Sequence, residues 1–488
     1  MTTVHRVLYP EPLNTLAEYV DAGGGQGLEA ARKIEPDVVI AEVEASGLRG
    51  RGGAGFPTGT KWRTVYDHAS DAVATTVVVN AAEGEPGTFK DRAILRTNPY
   101  AVLEGALIAA HAVGATQIVF GMKASFVTEI DRVRHAIKEA TEAGWIEAPL
   151  EVTIHEGPSE YLYGEETALL ESIAGRMPFP RIAPPYRRGV LEVVETPQDA
   201  ASESGLAAPV SMAGPSDEDV APPTLVDNVE TLANVPRIVA RGADWFRTVG
   251  TEKSPGTIVC TVTGSVKRPG VGEIALGTTL REAIEEIAGG ARHGQRLRAV
   301  LPGVANGFIP AEHLDTPLTY EDMQEIGSGL GSGSYFVVDD SDDVAAIAAG
   351  VSRFLAVESC GQCTPCKQDG LTLAATLDRI VRHQHDDGDL DVITKRASTV
   401  GDNARCYLGL QHQAVLSSLV ERFPEALQAH VDGTAEATEP ALVTELLDIQ
   451  GGKAVLDERF RDKNPDWTYD EADSGQAPAD RFADHRAG

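Results

Sequence analysis

Four of the five cysteines fall where they could share one metal-bearing site. The stretch Glu358-Ser-Cys-Gly-Gln-Cys-Thr-Pro-Cys366 sets Cys360, Cys363 and Cys366 at C-x2-C-x2-C spacing, and Cys406 follows after 39 residues. Three thiolates on one tight loop can reach three irons of a cubane from one side. A remote fourth closes the site from another helix or loop, and four thiolates are what a 4Fe–4S cluster requires. Zinc is the rival occupant, although structural zinc sites favour paired cysteine knuckles over three cysteines in one short run. Unliganded core thiols are the remaining reading. Cys260 stands alone in an apolar, strand-like run and reads as a buried small hydrophobe. His383 and His385 lie in a very polar loop and read as solvated side chains rather than ligands.

A second set of residues suits a nucleotide. Gly50, Arg51, Gly52 and Gly53 open Gly50-Arg-Gly-Gly-Ala-Gly55, which formally matches G-x-G-x-x-G. A dinucleotide fingerprint must follow a strand and open a helix. Here the preceding segment reads as a helix, so a standard dinucleotide fold is not expected. Glycines still let backbone N–H groups approach a phosphate, and Lys61 at the start of the next helix adds positive charge. Phe56 projects from the loop and could stack on an aromatic ring. Asn80-Ala-Ala-Glu-Gly-Glu-Pro-Gly87 supplies Asn80, Glu83 and Glu85 at a strand end, where carboxylates can contact ribityl or ribose hydroxyls. Tyr161-Leu-Tyr-Gly-Glu-Glu-Thr167 adds Gly164, Glu165 and Glu166 before a helix. Pro223-Thr-Leu-Val-Asp-Asn-Val-Glu-Thr231 offers Asp227, Asn228 and Thr231. Taken singly, each is also explained as an acidic turn or a helix cap.

The elements that must position these residues alternate. Asp37 to Ala45 reads as a short helix ending at Gly47, and residues 47–60 as a glycine-rich loop. Ala72 to Ala82 is a β-branched run long enough for one buried strand. Helical periodicity over Pro99 to Val113 and Val127 to Ala143 alternates with strand candidates at Gln117 to Gly121 and Leu150 to His155. That order predicts an α/β layer on a largely parallel sheet. Residues 195–223, rich in Pro, Ala, Ser and acid, read as a surface loop or disordered insert. Thr257 to Gly264, a Thr-capped helix over Thr278 to Ala288 and Phe336 to Asp339 predict a small α+β unit. From Asp342 to about Ala429 the pattern is helical, and the tail from about Gly433 is acidic.

Composition bounds the function. With 42 Lys+Arg against 73 Asp+Glu, the formal charge is −31, which argues against a nucleic-acid or anionic-membrane partner. Five cysteines are too few and too uneven for a disulfide scaffold. The first residues lack a signal peptide's apolar core. The run from Val102 to Gly121 is interrupted by Glu104, His111 and Gln117, too polar to span a bilayer. A cytoplasmic protein is expected, with any membrane association indirect, through partners.

Together the motifs resemble those of the family of flavin- and NADH-binding subunits of respiratory complex I (NADH-quinone oxidoreductase), which includes diaphorase subunits of NAD-linked hydrogenases and formate dehydrogenases. The resemblance runs from about Ser46 to Ala429 and is carried by SGLRGRGGAGFPTGTKW, NAAEGEPGTFKDR, YGEETALLESIAGR, DNVETLANVP and ESCGQCTPC, in the family's order. It implies an N-terminal segment (1–45), an atypical Rossmann-like α/β domain for FMN and NADH (46–250), a ubiquitin-like β-grasp domain (251–340), a helical 4Fe–4S domain (341–432) and the acidic tail (433–488). It also implies hydride transfer from NADH to FMN, then single electrons to the cluster and on to partner iron–sulfur subunits. Carried over by motif, Gly50, Arg51, Gly52, Lys61, Asn80, Glu83 and Asn228 would hold FMN. Phe56 and Tyr186 would stack on the adenine, Glu85 would lie near the nicotinamide, and Glu166 would accept the adenosine ribose hydroxyls. The chain departs from the family pattern at Ala82 (usually Asp), Ala183 (usually Lys), Thr64 (usually aromatic, with Tyr66 close by) and Asp227 (usually Asn). These departures keep open a reading as a non-catalytic electron-transfer or scaffold paralogue.

Overall fold

The computed structural model describes residues 4–69, 74–181, 223–469 and 472–482. Tyr186, Ala183 and all but the last residue of the 195–223 insert lie outside them. The chain divides into two compact units. The first comprises residues up to Glu83, Lys90–Val259 and Glu273–Leu276; the second comprises Gly84–Phe89, Cys260–Gly272 and Gly277 onward.

The first unit is built on four strands, β1 (Thr75–Ala81), β2 (Ala115–Lys123), β3 (Glu151–Gly157) and β4 (Thr224–Asn228). Their order is β3-β2-β1-β4 and every neighbouring pair is parallel, as the alternating pattern predicts. Val78 sits opposite Val119 on one side and Val226 on the other. A strand flanked on both sides and covered on both faces reads as a continuous β-branched run.

Among the described residues, eight helices precede β4: α1 (Leu16–Asp21), α2 (Gln26–Ala31), α3 (Pro36–Ser46), α4 (Thr58–Asp67), α5 (Lys90–Thr97), α6 (Pro99–Val113), α7 (Val127–Glu142) and α8 (Glu166–Ile173). Asn98 caps α6 by accepting from the Ala101 N–H, Pro99 opens it, and left-handed Gly114 ends it. Almost all of α6 is buried, which explains its length of apolar sequence without a membrane. Its one carboxylate, Glu104, is equally buried and accepts from the Tyr19 hydroxyl (2.7 Å) and from the N–H groups of Gly25 (2.7 Å) and Leu28 (2.9 Å). The polar interruption of the apolar run is therefore the peg that ties α1 and α2 to the core. Gly105 allows α6 to touch the helix Val229–Arg241, because a Cβ there would lie 2.1 Å from the Leu232 carbonyl oxygen.

A further sheet has five strands in the order β6-β5-β9-β7-β8. The strands are β5 (Thr257–Gly264), β6 (Gly270–Ala275), β7 (Leu297–Leu301), β8 (Ile309–Pro310) and β9 (Ser334–Asp339). The helix Leu280–Ala288 begins with a reciprocal capping box between Thr279 and Glu282 and ends at left-handed Gly289. Helices Val344–Glu358, Gly370–Val381, Asp389–Ala397, Tyr407–Arg422 and Pro424–Val431 follow. The acidic tail then forms a hairpin, β10 (Leu446–Gln450) with β11 (Lys453–Leu456), and further short turns. Among the described residues no helix is long and apolar enough to cross a membrane.

Candidate functional site

In the first unit β4 follows β3 in sequence but pairs with β1 on the far side of β2. The sheet therefore changes winding direction between β1 and β4, and open α/β sheets bind ligands beyond the strand C-termini at such a point. Asn80 stands near the end of β1, and Asp227 and Asn228 end β4, so three sequence-predicted residues converge there.

The glycine loop stands against the same edge. Its base is closed by Gly50 N–H to Phe56 O (2.8 Å) and Thr58 N–H to Leu48 O (2.9 Å). The Arg51 N–H donates to Thr231 Oγ1 at 2.9 Å. Gly53 and Gly55 have φ of 121° and 62°, where L side chains are strained. A Cβ on Gly52 would come within 3.3 Å of the Asn228 Cβ. Among the described residues the N–H groups of Gly52 and Gly53 make no hydrogen bond, which leaves them open to an anion. Phe56 is half exposed on the loop. Helix α4 begins at Thr58, so the loop ends earlier than the sequence pattern predicts, and Lys61 lies a full turn inside the helix.

Beneath the loop lies a charged cluster whose Lys90, Asp91, Arg92 and Glu230 fall within the sequence motifs but had no role in them. Lys90 Nζ donates to Asp91 Oδ1 (2.7 Å) and Asn228 Oδ1 (3.2 Å) and pairs with Glu230 Oε2 (3.0 Å). Asn228 Nδ2 donates to Asp91 Oδ2 at 2.6 Å, and Arg51 stands 3.8 Å from Glu230. Burial opposes the Lys90 charge, but Asp91 and Glu230 outweigh it and hold its ammonium above the usual lysine range. Glu83 accepts from the Asp91 N–H and from Arg92 Nε, both at 3.0 Å. Two expected ligand residues, Asn228 and Glu83, thus have their side chains set by buried ion pairs. The local signal was the Lys90-Asp91-Arg92 triplet directly after the acidic turn.

Other expected residues have structural work of their own. Asn80 Nδ2 donates to the Gly164 carbonyl at 2.8 Å, joining β1 to the turn before α8. Glu165 caps α8, accepting from the N–H groups of Thr167 (3.0 Å) and Ala168 (2.8 Å), and burial raises its pKa. Glu166 stays partly exposed and pairs with Lys61, whose Nζ also donates to the Val226 carbonyl at 2.9 Å. Trp62 Nε1 donates to Asp227 Oδ2 at 2.7 Å, and burial pushes that carboxyl up to about 6. Ala82 packs in an apolar cluster with Val78, Tyr163, Leu169 and Val226, so a carboxylate at this position would enter hydrocarbon. Tyr66 is partly exposed under the Arg63 guanidinium.

Glu85 belongs to the second unit. Its carboxylate accepts from the Val304 N–H (3.0 Å) and from the Ser332 hydroxyl.

The cysteine loop lies between the helices Val344–Glu358 and Gly370–Val381 and passes through a π-helical turn at Pro365–Asp369. Cys360 and Cys366 are buried, Cys363 and Cys406 half-buried. The Arg405 N–H donates to Cys363 Sγ at 3.3 Å, which draws the segment before Cys406 onto the loop. Gln362 Nε2 donates to Cys360 Sγ at 3.6 Å, and Ser359 Oγ lies 3.3 Å from Cys366 Sγ. Burial pushes the Cys366 thiol up to about 11. Among the described residues no group of three or more His, Cys, Asp and Glu converges tightly enough for a single metal ion. An all-thiol donor set of three loop cysteines and Cys406 at the cap of the helix Tyr407–Arg422, with N–H groups aimed at sulfur, suits a cubane, whose ligands bind four separate irons. Cys260 is fully buried in β5, as expected for a core residue.

Three domain families match the chain. They are the Nuo51 FMN-binding domain over residues 43–237, the SLBB domain over 259–304 and the NADH-ubiquinone oxidoreductase-F iron-sulfur binding region over 346–430. The F 2 subunit of the NADH-quinone oxidoreductase of Rhizobium meliloti is 36% identical over 426 residues, covering 86% of this chain and 94% of that protein. The F subunit of the same enzyme in Streptomyces coelicolor is 36% identical over 448 residues, 90% of this chain and 93% of its own. Among solved structures, an NAD+-reducing [NiFe]-hydrogenase in the H2-reduced state superposes with a TM-score of 0.71 at 30% identity, covering 88% of this chain and 68% of that one.

Proposed function

Because the chain belongs to the family of F subunits of NADH-quinone oxidoreductases, we propose that it is the NADH-oxidising, electron-input subunit of a multi-subunit complex. When bound, FMN supplies the exchange between a two-electron hydride donor and a one-electron cluster. The chain's residues bind and orient. The open N–H groups of Gly52 and Gly53, with Arg51 and the α4 N-terminus behind them, suit the flavin phosphate. Asn80, Glu83 and Asn228 suit the ribityl chain and ring edge. Phe56 and Tyr186 would sandwich the adenine, Glu166 would accept from the adenosine ribose and repel a 2′-phosphate, and Glu85 would face the nicotinamide half. Cys360, Cys363, Cys366 and Cys406 would ligate the 4Fe–4S cluster.

The domain scheme carried by this reading is α/β over 46–250, β-grasp over 251–340 and a helical cluster domain over 341–432. Its partners are other iron–sulfur subunits, and its setting is cytoplasmic, peripheral to a membrane through those partners. The observation that carries the flavin assignment is the convergence of the glycine loop, Asn80, Asp227 and Asn228 at the β1/β4 switch point. A second reading, a diaphorase subunit of a soluble NAD-linked hydrogenase or formate dehydrogenase, is favoured by the likeness to the hydrogenase.

Anaerobic purification tests both. Released flavin, the EPR signal of a 4Fe–4S cluster and NADH-driven reduction of an artificial one-electron acceptor are all expected. Flavin and cluster without NADH turnover would leave the non-catalytic reading standing instead.

A further inference from the structure

The tail beyond residue 431 lies outside the matched iron–sulfur region, yet it is packed against the cysteine loop at several points. Trp467 Nε1 donates to the Val357 carbonyl at 3.0 Å. Lys463 Nζ donates to Glu358 Oε1 at 2.7 Å, and both side chains are buried. The Ala479 N–H donates to the carbonyl of Cys360 itself at 2.8 Å. Gly361, at φ 87°, is pressed so closely that a Cβ would lie 2.2 Å from the Ala477 Cβ. Lys367, next to Cys366 and 3% exposed, donates to the carbonyls of Ala356 (3.1 Å), Ser359 (2.8 Å) and, from the tail, Pro465 (2.7 Å). The covering segment is itself pinned. Asp466 is fully buried and accepts from Thr468 Oγ1 (2.6 Å), the Ser474 N–H (3.0 Å) and Arg481 (3.2 Å).

We propose that residues 463–469 and 472–479 complete the cluster site, covering the Cys360–Cys366 side of the loop and positioning Lys367 beside it. The inference rests on the assignment of the cluster to these cysteines. Its physical content is twofold. A covered loop keeps water and oxygen from the thiolates on that side, and burial and solvent access are among the determinants of cluster potential. The Lys367 ammonium, held by three carbonyls from two segments, places a fixed cation beside two ligands and favours the more negative, reduced cluster. Lys367 and the tail are positioning groups, since no tail residue ligates.

The test uses full-length protein purified with its cluster. Ala479→Pro deletes the tail N–H that donates to the Cys360 carbonyl and lies in the first turn of a short helix beginning at Pro478, where proline is tolerated. Trp467→Phe deletes the indole donor. Each should bleach in air about fivefold faster than the unaltered protein, the change in open population that loss of one buried hydrogen bond produces. Flavin content should be unchanged, and the cluster midpoint potential should shift downward as Lys367 loosens. Folded variants that bleach at the original rate with the original potential would overturn the inference. Should either variant misfold, hydrogen exchange on the unaltered chain decides. The Ala479 amide should exchange more slowly with the cluster present than after its removal, and equal rates would overturn the proposal. Absence of any cluster from the unaltered protein would remove the cluster assignment and this inference together, whereas a cluster indifferent to the tail removes this inference alone.

Discussion

Asp227 is a residue whose buried carboxyl has a measurable consequence. Burial pushes its carboxyl up to about 6 against the pull of Lys61 and the Trp62 hydrogen bond. An unfolded aspartate titrates near about 4. The folded chain therefore holds this proton more tightly than the unfolded one. The associated stability is full below about pH 4 and is lost as pH rises through about 6. Asp227→Asn should stabilise the protein by about 1–3 kcal/mol above about pH 7 and change little near pH 4. Denaturant unfolding at the two pH values checks this, and an equal gain at both would refute the electrostatic account. Cys406 makes a second prediction at this scale. Cys406→Ala should abolish the cubane signal while flavin remains bound, because the flavin residues lie in the other compact unit. Retention of a full cluster would mean that another side chain is the fourth ligand.

Among the elements, α6 shows packing overriding local preference. By helix propensity alone, Gly105→Ala should stabilise by up to about 1 kcal/mol. The new Cβ would instead meet the Leu232 carbonyl oxygen at 2.1 Å, and backbone cannot rotate aside as a side chain can. A loss of about 1–3 kcal/mol is expected, read as a fall in thermal midpoint. Stabilisation would mean that α6 and the helix Val229–Arg241 can separate at little cost. The ion-pair cluster under the glycine loop belongs to the same scale. Lys90→Met would leave Asp91 and Glu230 buried without their cation and should cost about 3–5 kcal/mol. A variant with unfolding midpoints close to those of the unaltered chain would show that water or neighbouring groups replace the ammonium.

For the molecule as a whole, the charge of −31 sets the response to salt. Self-repulsion at that charge opposes compaction, and added salt screens it. The thermal midpoint should therefore rise as sodium chloride increases from about 10 mM to about 150 mM, where the screening length falls from about 30 Å to about 8 Å. A midpoint that falls would show that buried and surface ion pairs contribute more than the net repulsion.

The features legible in sequence were those written over a few neighbouring residues. The C-x2-C-x2-C run, the glycine loop, the β-branched strand that became Thr75–Ala81, the helix Pro99–Val113 and the Thr279 cap all depend on spacing along one element. Periodicity and capping are local physics, so they survive in one dimension. What folding alone decided was which distant groups meet. Glu104 looked like an interruption of an apolar run and is a buried peg for three donors. Lys90 finds Glu230 on another helix, and Ala82 turns toward hydrocarbon instead of toward a ligand. The tail's acidic composition gave no sign of a packed face, yet Lys463, Asp466 and Trp467 are buried beside the cysteine loop. Composition averages over a segment, whereas burial is set residue by residue by the surface that arrives opposite, and that surface is specified only once the chain has closed on itself.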